Sequence, residues 1–225
     1  LTYQFELKKP NGRKDASRQD NFIYASYSQT PVHDSTLIFH LETNKKPEDN
    51  AYKLIDAEGN ILYQREVGTL VADTIYKDTL QLSKGAYQLL FKDVSGDGLE
   101  FWYKTKAGRG KSILLNAQGE IVKSFNSDFG SSITYNFTVG DTPDPIMENE
   151  ISLGVFPTRT KDFTYFDFLS NNPEEVLIKL IRDPGGEVVE EHLYRDFKEG
   201  RLTFDLSRYP KSRYFFRVFV NDKVV

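Results

Sequence analysis

Apolar residues in this chain recur at every second position, in short runs that turn residues interrupt roughly every 8–12 positions. That period turns one face of each run toward a core and the other toward solvent, as a half-buried strand requires. Leu37, Phe39 and Leu41 share one such face, and so do Leu202, Phe204 and Leu206. No window of about 11 residues carries an apolar stripe at i, i+3, i+4 and i+7 behind a capping residue, so helices are not expected. Strands are expected at residues 2–8, 35–41, 75–82, 86–92, 101–104 and 132–139. Three hairpins are expected where apolar runs flank a turn: Asp56-Ala-Glu-Gly59, Leu115-Asn-Ala-Gln-Gly-Glu-Ile-Val122 and Asp183-Pro-Gly-Gly186. Their spacing is irregular, which argues against a solenoid repeat.

At 225 residues the chain has room for two ordinary domains. Aromatic residues make up 14%, nearly all Tyr and Phe, and such side chains suit pleated surfaces and large β cores. The expected fold class is all-β, two β-sandwich domains in series: a jelly roll over 35–140, then a seven-strand Ig-like sandwich over 151–225. Residues 1–34 are expected to be the end of a preceding domain or a lead-in segment. Between the sandwiches, residues 141–150 combine Pro143 and Pro145 with Asp141, Asp144, Glu148, Asn149 and Glu150. Prolines without ladder donors and clustered carboxylates make an exposed linker there, not a core strand.

Charge and residue inventory exclude several classes of function. The net charge of −4, with no basic stripe, does not favour nucleic acid. There is no Cys, which removes disulfides, thiolate metal sites and Cys nucleophiles. His33, His40 and His192 form no His-Glu-x-x-His pair, and there is no Gly-x-Ser-x-Gly elbow or phosphate-binding loop. Neighbours in His33-Asp34-Ser35 cannot converge as a catalytic triad does. No apolar run approaches the roughly 20 residues that span a bilayer. The chain is therefore expected to be non-catalytic.

Four stretches of the last third fall in a recognisable order: Val155-Phe-Pro-Thr158, Asp183-Pro-Gly-Gly-Glu-Val188, Leu206-Ser-Arg-Tyr-Pro-Lys-Ser-Arg-Tyr214 and Asn221-Asp-Lys-Val-Val225. This order resembles the type A C-terminal sorting domain of type IX secretion cargo from Bacteroidota. Its motif positions here are Pro157, Asp183, Gly186, Leu206, Pro210, Tyr214, Asn221, Asp222 and Lys223. Thr158-Arg159 replaces the family's Asn-Pro, and Ser212 stands where the family has Gly. The resemblance implies export through periplasm and outer membrane and recognition by the type IX outer-membrane machinery. It also implies removal of the domain by a sortase in the 141–150 linker and attachment of the cargo to surface lipopolysaccharide. It further implies domains upstream of Leu1 and a terminal strand segment beyond Val225.

The stretch from Lys84 to Trp102, with Gly108-Arg-Gly110 and Ser127-Asp-Phe-Gly-Ser131, is similar to a CUB-like β-sandwich module of Bacteroidota secreted hydrolases. That resemblance implies an accessory role beside an upstream enzyme such as a metallopeptidase. Within it, Asp93, Ser95 and Asp97 alternate in an Asp-x-Ser-x-Asp-Gly loop, a spacing that turns three oxygens toward one point and suits Ca²⁺. Lys104 stands where an EF-hand has its bidentate acid, so Glu100 or Asp128 would have to complete a different cage. The competing reading is a polar turn whose carboxylates cap backbone N–H groups. Trp102, with Phe101 and Tyr103, offers a sugar-stacking platform, but a lone Trp is more often an anchor of the core.

Overall fold

The structure, a computed structural model, describes residues 2–6, 12, 22–26, 30–145 and 150–225. The chain divides into two compact units, Leu1–Pro31 and Val32–Val225. In the first unit β1 (Thr2–Glu6) pairs antiparallel with β2 (Phe22–Ser26), Gln4 opposite Tyr24. β1 is the expected opening strand, whereas β2 lies where the alternation marks none. The expected polar loop over 9–21 lies outside the described residues apart from Gly12.

The second unit is all-β and holds two sandwiches; among the described residues there is no α-helix. The first is built from β3 (Val32–His33), β4 (Thr36–Glu42), β5 (Asn50–Asp56), β6 (Ile61–Arg65), β7 (Ile75–Gln81), β8 (Gly85–Asp93), β9 (Lys111–Asn116), β10 (Ile121–Phe125) and β11 (Ser132–Val139). One sheet runs β10-β9-β4-β7 and the other β3-β11-β8-β5-β6. Only the β5–β6 and β9–β10 connections stay within a sheet. The chain otherwise crosses between layers from β4 through β11, the winding of a jelly roll. Period-two alternation then has a simple consequence. Leu37, Phe39 and Leu41 of one sheet meet Tyr52, Leu54, Leu89, Phe91 and Phe137 of the other in one buried cluster. Phe39 packs edge-on against Tyr52, Phe91 and Phe125, with ring centroids 4.7, 6.1 and 6.4 Å away. Such edge-to-face pairs add about 0.5–1.5 kcal/mol each beyond area burial.

The second sandwich uses fewer, longer strands. β12 (Ile151–Phe156), β13 (Phe163–Asp183), β14 (Glu187–Asp205), β15 (Arg213–Val220) and β16 (Lys223–Val224) form one sheet. β13 spans 21 residues, and its pairing with β14 slips between Leu169 and Val176. That slip is a bulged corner, and such corners let one strand serve two layers. Before the corner, β13 pairs with β12 and with the end of β14. After it, β13 pairs with the start of β14 and with β15, which carries β16. Counted by layer there are seven strand segments. Phe166, Phe168 and Phe204 from one layer meet Val176, Ile178, Leu180, Val218 and Val220 from the other.

Candidate metal centre and the seam between the sandwiches

Antiparallel pairing of β5 with β8 places Asn50 opposite Asp93. The register therefore carries Asp49, one residue outside β5, to the loop that follows β8. The Val94 N–H donates to the Asp49 carbonyl at 3.0 Å and closes this juncture. In the loop, one carboxylate oxygen of Asp93 accepts from Gly96 N at 2.5 Å, Asp97 N at 3.2 Å and Ser95 Oγ at 3.1 Å. Ser95 Oγ also donates to Asp97, and the Lys104 ammonium pairs with the other Asp97 oxygen. Gly98 closes the turn at φ +64°, and a Cβ there would stand 2.6 Å from the Ser127 carbonyl oxygen, so the position admits only glycine.

Carboxylate oxygens of Asp49, Asp93 and Asp97 all lie within 4.8 Å of one another. Asp93 is buried, and burial first, then the neighbouring Asp49 charge, pushes its carboxyl above the ordinary range. The Asp97 carboxyl is held below the ordinary range: burial opposes this, but hydrogen bonds from Lys104 and Ser95 outweigh it. Asp93, Ser95 and Asp97 thus come together as their spacing predicts. Glu100 does not join them, because its carboxylate accepts from Arg109 Nε at 2.6 Å. Asp49, next to the cluster only through strand pairing, has no local spacing signal in the sequence.

Residues 101–104 form a turn leading into a 3₁₀ segment at Thr105–Ala107, not the expected strand. The run Phe101-Trp102-Tyr103 has no alternating polar partner to sit on a solvent face. Trp102 is 46% exposed, which corrects the expectation of a core anchor. Its ring lies 5.9 Å from Phe101 and 5.6 Å from Tyr103. The first core is filled mainly from paired strands, to which the loop after β8 adds Leu99, while residues 101–104 stand outside both sheets.

A second polar cluster binds the two sandwiches together. Arg109, its side chain only 8% exposed, donates through Nε to Glu100 and through Nη1 to Asp167 Oδ2 at 2.7 Å. Arg201 holds the same carboxylate in a fork, Nε to Oδ1 at 2.6 Å and Nη2 to Oδ2 at 2.9 Å. Burial works to raise the Asp167 carboxyl, but the Arg201 hydrogen bonds and the Arg109 charge outweigh it and hold it low. For Glu100 the balance reverses, and burial keeps its carboxyl above the ordinary range despite Arg109. The Arg109 guanidinium lies against Gly154, where a Cβ would stand 1.9 Å from it. Beside this, Asn171 reads the Ile121 backbone in both directions, accepting from N at 2.6 Å and donating to O at 3.1 Å. Ser124 Oγ donates to Ser152 Oγ at 2.9 Å.

The remaining motif positions lie in the second sandwich. Gly186 closes the β13–β14 hairpin; Ser212 Oγ donates to the Asp183 carbonyl at 2.5 Å, and Arg213 pairs with the Asp183 carboxylate at 2.7 Å. Leu206 opens the short turn to β15, its N–H bonded to the Asp162 carbonyl at 2.7 Å. The Tyr214 hydroxyl donates to the Pro210 carbonyl at 2.6 Å. Pro157 follows β12, and its carbonyl accepts from Thr164 Oγ1 at 3.0 Å. Asn221 and Asp222 take positive φ at the β15–β16 turn before Lys223, and Asn221 N donates to the Glu175 carbonyl at the corner of β13. In the linker, Asp144 N donates to the Val32 carbonyl while its carboxylate accepts from Val32 N, and Asp141 pairs with Lys84; both are exposed. Glu150 reaches Ser124 N at 3.5 Å, while Glu148 and Asn149 lie outside the described residues.

No protein-family model and no curated protein matches the chain. A solved Faecalibacterium prausnitzii beta-glucuronidase is similar over 85% of this chain and 33% of its own, at 12% identity and a TM-score of 0.28. The chain thus spans 33% of that protein's length, and a likeness this distant carries no argument about activity.

Proposed function

We propose that this chain is the non-catalytic C-terminal part of a secreted bacterial protein, its second sandwich a sorting signal for type IX secretion and its first an accessory module. The observation that carries this reading is the coming together of motif stretches far apart in sequence. The Asp183–Gly186 turn and the Leu206–Tyr214 segment meet through Ser212 and Arg213, both of which bond Asp183. A signal read as a folded surface needs its determinants gathered in this way, whereas determinants of stability alone would be spread through the core. Asp141 and Asp144 lie exposed between the two sandwiches, where a processing peptidase would have access to the backbone. In this reading the partners are the type IX outer-membrane machinery and its sortase, with surface lipopolysaccharide as the acceptor after cleavage. The protein ends secreted or at the cell surface.

The test is export of a fluorescent reporter fused ahead of residues 1–225 and behind a signal peptide, in a Bacteroidota strain with and without its type IX machinery. The expected result is reporter on the surface or in the medium, cut within 141–150, and lost both in the machinery mutant and on deletion of 151–225. Retention of a folded fusion in the periplasm of both strains overturns the reading.

A further inference from the structure

Asn50 is fully buried, and its side-chain Nδ2 lies against the Asp93 carboxylate and 3.5 Å from Asp49 Oδ1. Its head group therefore sits inside the acidic cluster. Its Oδ1 has no hydrogen-bond partner among the described residues. A buried amide oxygen left without a partner is costly, and native structures rarely tolerate one. A half-turn of the amide exchanges Nδ2 and Oδ1, which are alike in shape, and brings the orphan oxygen to the carboxylates. Oxygen facing carboxylate is repulsive unless a cation lies between them. The charges point the same way: three carboxylates converge, and the only ammonium paired with them among the described residues is that of Lys104. Two negative charges remain, which one divalent cation cancels.

We propose that Asp49, Asp93 and Asp97, together with the side-chain oxygen of Asn50, bind a divalent cation of the calcium class. All the donors are hard oxygens with no imidazole or thiolate among them, a set that suits calcium and not zinc or copper. Asp93 Oδ1 is committed to the loop's N–H groups and the two Asp97 oxygens to Ser95 and Lys104, so Asp49 offers the freest oxygens. The ion would displace the Lys104 ammonium from Asp97 or share that carboxylate with it. The proposed set differs from the one that spacing alone suggests: Asp49 and Asn50 enter through the β5–β8 register, and Glu100 belongs to the seam. The ion would tie the start of β5 to the loop that leads on to Trp102. This inference is independent of the secretion reading and stands or falls without it.

The test is thermal unfolding and titration calorimetry of the full chain after EDTA dialysis, with CaCl₂ as the probe and NaCl of matched ionic strength as the control. Trp102, the single tryptophan, reports the loop by its emission. Binding in the range of extracellular modules, with Kd on the order of 10⁻⁴–10⁻³ M, would raise the melting temperature in step with millimolar calcium and shift the Trp102 emission. Asp97→Asn and Asp49→Asn should each weaken the calorimetric affinity at least about tenfold by removing ligand charge, while Glu100→Gln keeps the calcium response. A folded chain with neither heat nor a melting shift at 10-fold above that range overturns the proposal. So does an equal rise in NaCl, or a full response in Asp49→Asn.

Discussion

The two sandwiches close their cores in different ways. The first winds eight of its strands, β4 to β11, between two separate sheets, so each layer is held by several independent chain crossings. Its buried cluster draws on both sheets. The second folds one sheet over itself at the corner of β13, and of the 19 residues of β14 only Phe204 is buried. That corner is polar: Ser170 and Glu174 are buried there, and Asn221 donates to the Glu174 carboxylate. A wound sandwich is self-sufficient in apolar burial. A folded-over sheet leans more on hydrogen bonds at its corner and on the neighbour it packs against.

The largest test of this contrast lies in the cores themselves. Phe39→Ala removes a ring with three edge-on neighbours, and Phe166→Ala removes one of the three phenylalanines of the smaller cluster. Each should cost about 3–5 kcal/mol in denaturant unfolding. If the second sandwich depends on the first, Phe39→Ala will lower both parts of the transition, while Phe166→Ala will lower only one. Equal and independent losses would show two self-sufficient sandwiches and break the contrast.

Next in size is the seam. Arg109→Ala leaves Glu100 buried without its partner and Asp167 with Arg201 alone, and breaking a buried pair costs about 3–5 kcal/mol, here toward the lower end because Arg201 remains. A double-mutant cycle of Arg109→Ala with Asp167→Asn should show coupling of about 0.5–3 kcal/mol; additive losses would mean that the ion pair does not join the sandwiches. Gly154→Ala tests the same seam sterically. The guanidinium is held from two sides, so the added methyl should cost about 1–3 kcal/mol, and a neutral result would show that Arg109 is free to move aside.

The smallest expected effect is a pH dependence centred on two histidines of the first sandwich. Burial holds both His33 and His40 below the ordinary histidine value of 6.5. Asp144 and Asp34 oppose this at His33; Lys111 and Lys77 reinforce it at His40, against Glu42 and Glu199. The unfolded chain therefore takes up these protons more readily. Their contribution is complete above pH 6.5 and is lost as pH falls from there toward the lowered folded values. Asp78 and Asp167, held low, keep theirs until pH falls below the ordinary carboxylate value of 3.8. Glu100, held high, works in the opposite direction, favouring the fold as it takes up a proton above 4.5. A His33→Gln, His40→Gln chain should thus show a flatter melting temperature between about pH 6.5 and 5. An unchanged slope in that window would assign the dependence to other groups.

Strand existence was legible in the sequence, because alternation is a local steric consequence of the pleat. Thr36–Glu42, Ile75–Gln81, Gly85–Asp93 and Ser132–Val139 all lie where the pattern puts them, and the three hairpins turn at Gly59, Gly119 and Gly186. The pattern failed where its signal is not local. Phe101–Lys104 is as apolar as a strand but has no sheet to join, so it turns and leaves Trp102 half in solvent. Phe163–Phe168 and Val176–Ile181 look like separate strands, yet they are two halves of β13, because a bulged corner keeps the pairing with β14 running past the polar residues between them.

The candidate site divides along the same line. The sequence by itself determined the loop of Asp93, Ser95 and Asp97, because three residues on one tight turn meet wherever the rest of the chain goes. Only the tertiary structure decided that Asp49 and Asn50 lie against it, since a register between strands some forty residues apart is a property of the whole sheet. It likewise decided that Glu100 turns away to Arg109, whose other partner, Asp167, belongs to the second sandwich. A buried guanidinium pairs with whichever carboxylates the packing brings within reach, and no spacing along the chain encodes that choice.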